Sequence, residues 1–454
     1  MKNYILSSKY QTLHFIGIGG VSMSALAKYA ISVGKTVTGS EICPNSLTEE
    51  LIKLGAKIYF KHSPFNLRKA DAVVYTSAVK EDNVELATAK RKKIPIVKRS
   101  EFLGEILERF MRSVAISGSH GKTTATAMIA SVLKNAERTP TVFLGGETDD
   151  YGNYLAGGED FAVIEACEYK KNFLDITPDI SVVLNIDDDH LDSYKDMADM
   201  VSAFSKFVGN SLAVINADDV YAHKIFNSST VTFGINTPAT YTAKSVKYNG
   251  VGYTFTACAH GRTLGKINLS VIGKHNVYNA LATVAVCDVL RIPFNLIKSG
   301  LEKFKGVKRR AEYLGEKEGL KFFADYAHHP RELKSTLKAF SESGDDFVTV
   351  FQPHTYSRTE KLIDAFISTF KSVKPLIIYK TYPAREEFSE KGDAETLYKN
   401  IISVSGENCI YAKNEEELLS AVLSFKGKFK KVVFFGAGDI YFIAKEFLEK
   451  QNDK

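Results

Sequence analysis

The stretch Arg112-Ser113-Val114-Ala115-Ile116-Ser117-Gly118-Ser119-His120-Gly121-Lys122-Thr123-Thr124 decides the fold. Its first six residues read as an apolar strand, Gly118 and Gly121 frame a turn, and a helical pattern then runs to about Asn135. A strand that feeds a glycine turn and then a helix start aims several backbone N–H groups at one anion, and the helix dipole adds to the pull. In that setting the Lys122 ammonium is expected to reach terminal phosphates and the Thr123 hydroxyl to ligate Mg²⁺. Ile116 stands where the strict form of such a loop has its first glycine. A strand–helix turn with an incidental lysine is the plainer alternative, and the flanking elements weigh against it.

Working outward, the same strand–turn–helix grammar appears twice more. Near the amino terminus an apolar run enters Gly17-Ile18-Gly19-Gly20-Val21-Ser22, a helical pattern covers Met23–Val33, and a strand at Thr36–Thr38 ends in Gly39-Ser40-Glu41. A dinucleotide fingerprint needs glycine at position 22, where Ser22 stands, but Gly17, Gly19 and Gly20 still let a diphosphate approach the backbone. Glu41 is a candidate for a ribose or another polar ligand group, although tight strand–helix packing alone would also explain the glycines. Further strands are expected at Ala72–Thr76, Pro95–Val97, Phe161–Glu165, Ile180–Asn185 and Leu212–Asn216, and a small antiparallel insert between Thr230 and Ile272. A third restart follows Lys308-Arg309-Arg310, with strands near Leu320–Ala324, Phe347–Phe351, Leu376–Tyr379 and Lys431–Phe435. The reading is an α/β chain of three domains, 1–108, 109–308 and 309–454, with a central P-loop unit.

Chemistry-bearing residues gather at the expected strand ends. Glu165 closes one strand, and Asp188-Asp189-His190 follow the next beyond Asn185; a carboxylate and an imidazole there suit Mg²⁺ held against ATP phosphates. Zinc is the rival, but neither H-E-x-x-H nor a cysteine partner supports it. Asn276 and Asn279 open an Ala/Val-rich helix at i and i+3, so both amides can meet an adenine edge; helix capping by Asn276 is the competing use. Asp325-Tyr326-Ala327-His328-His329-Pro330, Phe351-Gln352-Pro353-His354, Arg385 and Gly436-Ala437-Gly438-Asp439 make a third set, read as a small-molecule face.

Composition narrows the class. Hydrophobic residues at 44% and charged residues at 25% exclude a disordered chain, and a net charge of +6 does not argue for nucleic acid. Five cysteines without a C-x-x-C spacing read as reduced thiols. The first ten residues are too short and polar for a signal peptide, and no window nears 18 apolar residues, so a soluble cytoplasmic protein without a membrane partner is expected.

In order, His14–Ala25, Gly118–Thr124, Glu165-Ala166-Cys167-Glu168, Asn185–Tyr194, His275–Ala280, Lys308–Arg310, Asp325–Pro330, Phe351–Arg358 and Gly436–Ile440 make the chain resemble the Mur ligase family over essentially its whole length. The Asp-Tyr-x-His-His-Pro and Phe-Gln-Pro-His runs resemble the member that adds L-alanine. The resemblance implies a Rossmann-like UDP-binding domain, a central ATPase and a carboxyl-terminal Rossmann-like domain. It implies ATP and Mg²⁺ as cofactors, and UDP-N-acetylmuramate and L-alanine as substrates, in a monomer or homodimer. The lactyl carboxylate would be activated as an acyl phosphate and then attacked by the amine.

By position, the resemblance implies that Gly118, Ser119, His120, Gly121, Lys122, Thr123 and Thr124 cradle the ATP phosphates, with Asn276 and Asn279 toward adenine. Arg310 and Asp325 would complete the ATP site, and Thr123, Glu165 and His190 would hold Mg²⁺. His120 and Asn185 would lie near the substrate carboxylate, and Gly17, Gly19, Gly20 and Glu41 at the nucleotide sugar. His328, His329, His354 and Arg385 would serve the amino acid, with Lys122, Glu165, His190, Asn185 and Arg310 closest to the chemistry. The chain departs from the family pattern at Cys167, Tyr169, Lys170 and Thr355, and Ser205 stands where other members carry a carbamylated lysine. The alternatives are a ligase that attaches a recycled tripeptide, a nicotinamide-dependent oxidoreductase using the Gly17–Ser22 turn, and a nucleotide-binding regulator.

Overall fold

The computed structural model describes residues 4–187, 193–344, 346–384, 386–406 and 409–449. His190 and Arg385, both expected at a site, lie outside the described residues. Among the described residues the strands form three sheets of five, ten and six strands with helices between them, as the α/β reading expects. The five-stranded sheet is all parallel, in the order Lys57–Tyr59, Thr36–Ser40, Thr12–Ile16, Ala72–Tyr75, Ile96–Lys98. The strand Lys57–Tyr59 has only three residues and escaped the sequence reading.

The ten-stranded sheet is parallel at its centre, running Thr230–Gly234, Leu212–Asn216, Ile180–Val183, Arg112–Ser117, Phe161–Glu165, Thr141–Thr148. Gly152–Leu155 closes one edge as an antiparallel hairpin partner of Thr141–Thr148. The stretch expected as a small antiparallel insert is antiparallel only in part, and it extends this sheet. Thr230–Gly234 and Tyr241–Tyr248 both add parallel, and only the hairpin Tyr253–Ala259 with Arg262–Asn268 is antiparallel among the registered pairs here. Without Thr230–Gly234 the strand Leu212–Asn216 would be a sheet edge with open backbone groups, and the parallel pairing covers it. The six-stranded sheet runs Glu312–Lys317, Leu320–Asp325, Lys431–Phe435, Phe347–Phe351, Leu376–Tyr379, Cys409–Ala412, with only the first strand antiparallel.

By packing, the chain falls into two compact units. One runs up to Lys247 and takes in Thr254–Leu269 and His275–Phe304; the other holds Tyr248–Tyr253, Ser270–Lys274 and the chain from Lys305. Within the first unit one apolar cluster, including Phe15, Phe102, Phe143 and Ile176, spans the first two sheets. Tyr29 on the helix Val21–Ser32 meets Phe143 at 5.6 Å and Tyr154 at 6.5 Å. The same helix buries Lys28, whose ammonium donates to Asn153 at 2.7 Å and to Glu50 at 2.6 Å, and Asn153 in turn donates to Val21 O and Ser24 Oγ. No helix among the described residues is long and apolar enough to cross a membrane. All five cysteines are free thiols, and only Cys43 among them is exposed.

Glu85, on the first turn of the helix Val84–Lys92, is fully buried under the carboxyl ends of the first sheet. Burial pushes its carboxyl up, but His14, Ser40 and His62 outweigh that and hold it at about 2, against an ordinary 4.5. A depressed carboxyl adds stability that is present above the ordinary value and lost as pH falls toward the folded one. The denaturation midpoint is therefore expected to drop between pH 4.5 and about 2, with Glu85 contributing up to about 3 kcal/mol. Glu85→Gln should flatten that fall; an equally steep decline in the variant would remove Glu85 as its source.

Candidate active site

The strand Arg112–Ser117 delivers the chain into the glycine loop, and the helix Lys122–Asn135 leaves it. Gly118 sits at φ 138° and Gly121 at φ 86°, both in the region that favours glycine. A Cβ on Gly118 would stand 3.1 Å from the backbone of Asn185, and one on Gly121 would stand 2.6 Å from Asn279 Oδ1. The loop is thus shaped by its neighbours as well as by its own torsions. Asn185 clamps it: His120 N–H donates to Asn185 Oδ1 at 2.8 Å, and Asn185 Nδ2 donates back to His120 O at 3.0 Å. Ser119 N–H adds a bond to Asn185 O at 3.2 Å.

Lys122 folds over the loop. Its ammonium donates to Gly118 O at 2.5 Å and Ser119 O at 3.2 Å, and lies 3.0 Å from the carboxylate of Glu168. Burial works against the charge, but Glu168 and then Glu165 outweigh it, and the Lys122 pKa lies above its ordinary value. Thr123 donates its hydroxyl to Glu165 Oε2 at 2.8 Å, and Gly145 N–H donates to the same oxygen at 3.0 Å. Thr124 is half-buried on the same first turn. Asn276 and Asn279, both buried, are joined by a 2.9 Å bond from Asn279 Nδ2 to Asn276 Oδ1. His120 faces Asp187, with Nε2 and Oδ2 3.6 Å apart.

The residues expected at the nucleotide sugar also meet one another. Gly17 turns at φ 79°, Gly19 N–H donates to Glu41 Oε2 at 3.1 Å, and Asn45 Nδ2 donates to Gly19 O at 3.2 Å. Gly20 caps the helix Val21–Ser32 from extended backbone, and Arg99 reaches Ser22 Oγ at 2.8 Å.

The second unit carries its own cluster. Asp325 accepts the backbone N–H groups of Ala311 and Ala327, each at 2.8 Å. Burial raises its pKa while Arg310 works the other way. His328 Nδ1 donates to Tyr326 O at 2.9 Å, and its ring lies 5.6 Å from His354. His354 stacks on Tyr382 and meets Arg358 at 3.2 Å through Nδ1; burial, His328 and Arg358 together lower its pKa to about 4. His329 is engaged elsewhere: it caps the helix Pro330–Ser341, with Glu332 completing the capping box. Pro330 at the first helical position and Glu332 at the third are helix-start signals in the sequence, although histidine is not a usual capping residue. Sequence reasoning also missed Gly145, whose only signal is a Gly-Gly pair at the end of a short apolar run.

Against known proteins, residues 12–111 match the Mur ligase family catalytic domain, 116–287 the Mur ligase middle domain and 309–438 the Mur ligase glutamate ligase domain. A UDP-N-acetylmuramate–L-alanine ligase of Acetivibrio thermocellus is 41% identical, covering 97% of this chain and 96% of its own. That of Aquifex aeolicus is 38% identical over 99% of each. Among solved structures, the UDP-N-acetylmuramate-alanine ligase of Thermotoga maritima superposes with a TM-score of 0.83 at 31% identity, covering 98% of this chain and all of its own (100%). A murein peptide ligase of Psychrobacter arcticus shares the fold at a TM-score of 0.68 and 21% identity, over 98% of this chain and 99% of its own.

The close approach at Gly121 has a measurable cost. Gly121→Ala adds a methyl against Asn279 and strains a left-handed torsion, so unfolding free energy should fall by about 1–3 kcal/mol. A denaturation midpoint equal to the parent's would sink the packing argument.

Proposed function

Because this chain belongs to the Mur ligase family, we propose that it joins L-alanine to the lactyl carboxylate of UDP-N-acetylmuramate at the expense of ATP, through an acyl phosphate. The observation that carries the reading is the helix start at Lys122. It turns an ammonium and a hydroxyl toward one loop, with Glu165 beside the hydroxyl. A carboxylate resists amines because its leaving group would be oxide. Phosphorylation replaces that with phosphate, and the amine then closes the amide. In this reading Lys122 takes up charge spreading over the phosphoryl oxygens, which is the main demand of phosphoryl transfer. The loop amides of Gly118–Gly121 bind phosphate, Asn185 keeps the loop in register, and Asn276 with Asn279 face the adenine.

Two hard oxygen donors 2.8 Å apart, Thr123 Oγ1 and Glu165 Oε2, fit Mg²⁺, and these residues with His190 would hold it. When bound, Mg²⁺ neutralises charge on the phosphate oxygens. Gly17, Gly19, Gly20 and Glu41 serve the nucleotide sugar, with His120 at its carboxylate. Asp325 fixes the backbone on both sides of its own strand end, so that Arg310 keeps one setting for ATP. His328 and His354 form the amino-acid side with Arg358, whereas the ring of His329 is engaged in its helix cap. The functional division follows residues 1–108, 109–308 and 309–454. Five free thiols suit the reducing cytoplasm.

The test is ATP-dependent product formation by the purified chain with UDP-N-acetylmuramate, comparing L-alanine with the tripeptide by mass detection. L-alanine product is expected; tripeptide product alone would move the chain to recycling. Lys122→Ala should abolish ligation with the fold intact, and near-normal turnover by that variant would defeat the assignment. Glu165→Gln should raise the Mg²⁺ concentration needed for half-maximal rate; an unchanged titration would take Glu165 out of the metal site.

A further inference from the structure

Within the second unit lies a cavity of about 440 Å³, in the size range of small-molecule sites. It forms where the helices Pro330–Ser341 and Ile363–Phe370 end, beside the first residues of the strand Phe347–Phe351. His354 follows the carboxyl end of that strand, so the cavity stands at the opposite strand end from the amino-acid cluster. None of the roles assigned above falls on a residue that lines it.

The lining is cationic. Lys334, Lys338 and Lys374 bring three ammonium groups, against the carboxylate of Asp346 among the described residues. Lys338 has a local reason to be there, because it answers Glu342 at 4.0 Å across one turn and faces the negative end of its helix. Lys334 sits two turns before that end, beyond the reach of the dipole, and Lys374 follows the other helix. Both are exposed and have no ion pair among the described residues. Helix ends present carbonyl oxygens and on their own would draw a cation, so these lysines reverse the sign of the place.

The rest of the lining is rich in hydroxyls. Ser341 and Ser372 are exposed. Thr369 is already satisfied, donating to Ala365 O at 2.7 Å. Thr349 is different: it is wholly buried, and its hydroxyl has no hydrogen-bond partner among the described residues. A buried polar group left alone is costly, and an incoming hydroxyl would relieve it.

We propose that this cavity binds a phosphorylated sugar, with the phosphoryl group between Lys334 and Lys374 and the sugar hydroxyls on Ser341, Ser372 and Thr349. An excess of two positive charges matches a phosphoryl dianion, which lysine binds as a point charge. Hydroxyls that both give and accept match a polyol. The site makes and breaks no bond, and it is separate from the loop Gly118–Thr124.

The experiment is calorimetric titration of the full chain with glucose 6-phosphate, inorganic phosphate and glucose. Glucose 6-phosphate should bind, inorganic phosphate about tenfold more weakly, and glucose more weakly still. Lys334→Gln combined with Lys374→Gln should weaken glucose 6-phosphate by about tenfold or more, with circular dichroism unchanged. Thr349→Val should weaken it by about fivefold, yet raise the denaturation midpoint of the ligand-free chain, because an unpartnered hydroxyl is gone. A merely structural role would move both readouts downward together. Should Thr349→Val fail to fold, the lysine variant decides. A parent chain that does not bind glucose 6-phosphate overturns the inference, and so does binding that either folded variant leaves unchanged, since that binding belongs elsewhere. Inorganic phosphate that binds as tightly as glucose 6-phosphate overturns it too. None of these outcomes bears on the ligation reading, which product formation tests separately.

Discussion

A lysine ammonium buried at a helix start must be kept charged without being consumed by its neighbours, and much of the first unit answers that demand. Burial alone pulls the Lys122 pKa down. Glu168, itself fully buried, and Glu165 restore the charge from the next strand. Because those carboxylates come from Phe161–Glu165 and the residues after it, the central sheet must bring that strand beside Arg112–Ser117, which it does in parallel register. The loop then needs a floor that tolerates no side chain, and Asn185 and Asn279 supply it from two further elements. Sheet order, glycine torsions and helix packing follow from one charged group.

The two glycine turns are also mechanically joined. The helix that starts at Gly20 is fastened by Lys28 and Asn153 to the hairpin Thr141–Leu155, and the same hairpin offers Gly145 N–H to Glu165. The buried lysine is worth its desolvation only because both its acceptors are in place. A displacement of the first helix is thus felt one strand away from the oxygen that holds Thr123.

Much of this was legible in the sequence wherever geometry and chemistry share one short stretch. The glycine loop Gly118–Thr124, the strand ends at Glu165 and Asn185, and the turn at Gly17 are local signals, and the α/β architecture came from their repetition. What escaped depends on contacts across the chain. The hairpin at Thr141–Leu155 hides because Gly145-Gly146 interrupts its alternation, and its value lies in a bond to a residue twenty positions away. Glu168 is one carboxylate among 53 acidic residues until folding sets it beside Lys122. The extension of the central sheet past Thr230 is likewise a matter of which edge is open, which periodicity does not encode. His329 is a local case as well: Pro330 and Glu332 mark the helix start in the sequence, and the cap made by the His329 ring appears only in the fold.

Thiol accessibility has a practical side. Cys258, Cys287 and Cys409 are buried, Cys167 is half-buried, and burial raises the pKa of Cys167, Cys287 and Cys409. Cys43 alone is exposed, between Glu41 and Asn45, the two side chains that hold Gly19. A maleimide dye would therefore attach at one position without any engineered cysteine. Its emission would report on the surroundings of the first glycine turn while the loop Gly118–Thr124 stays unlabelled, turning a native side chain into a local optical probe.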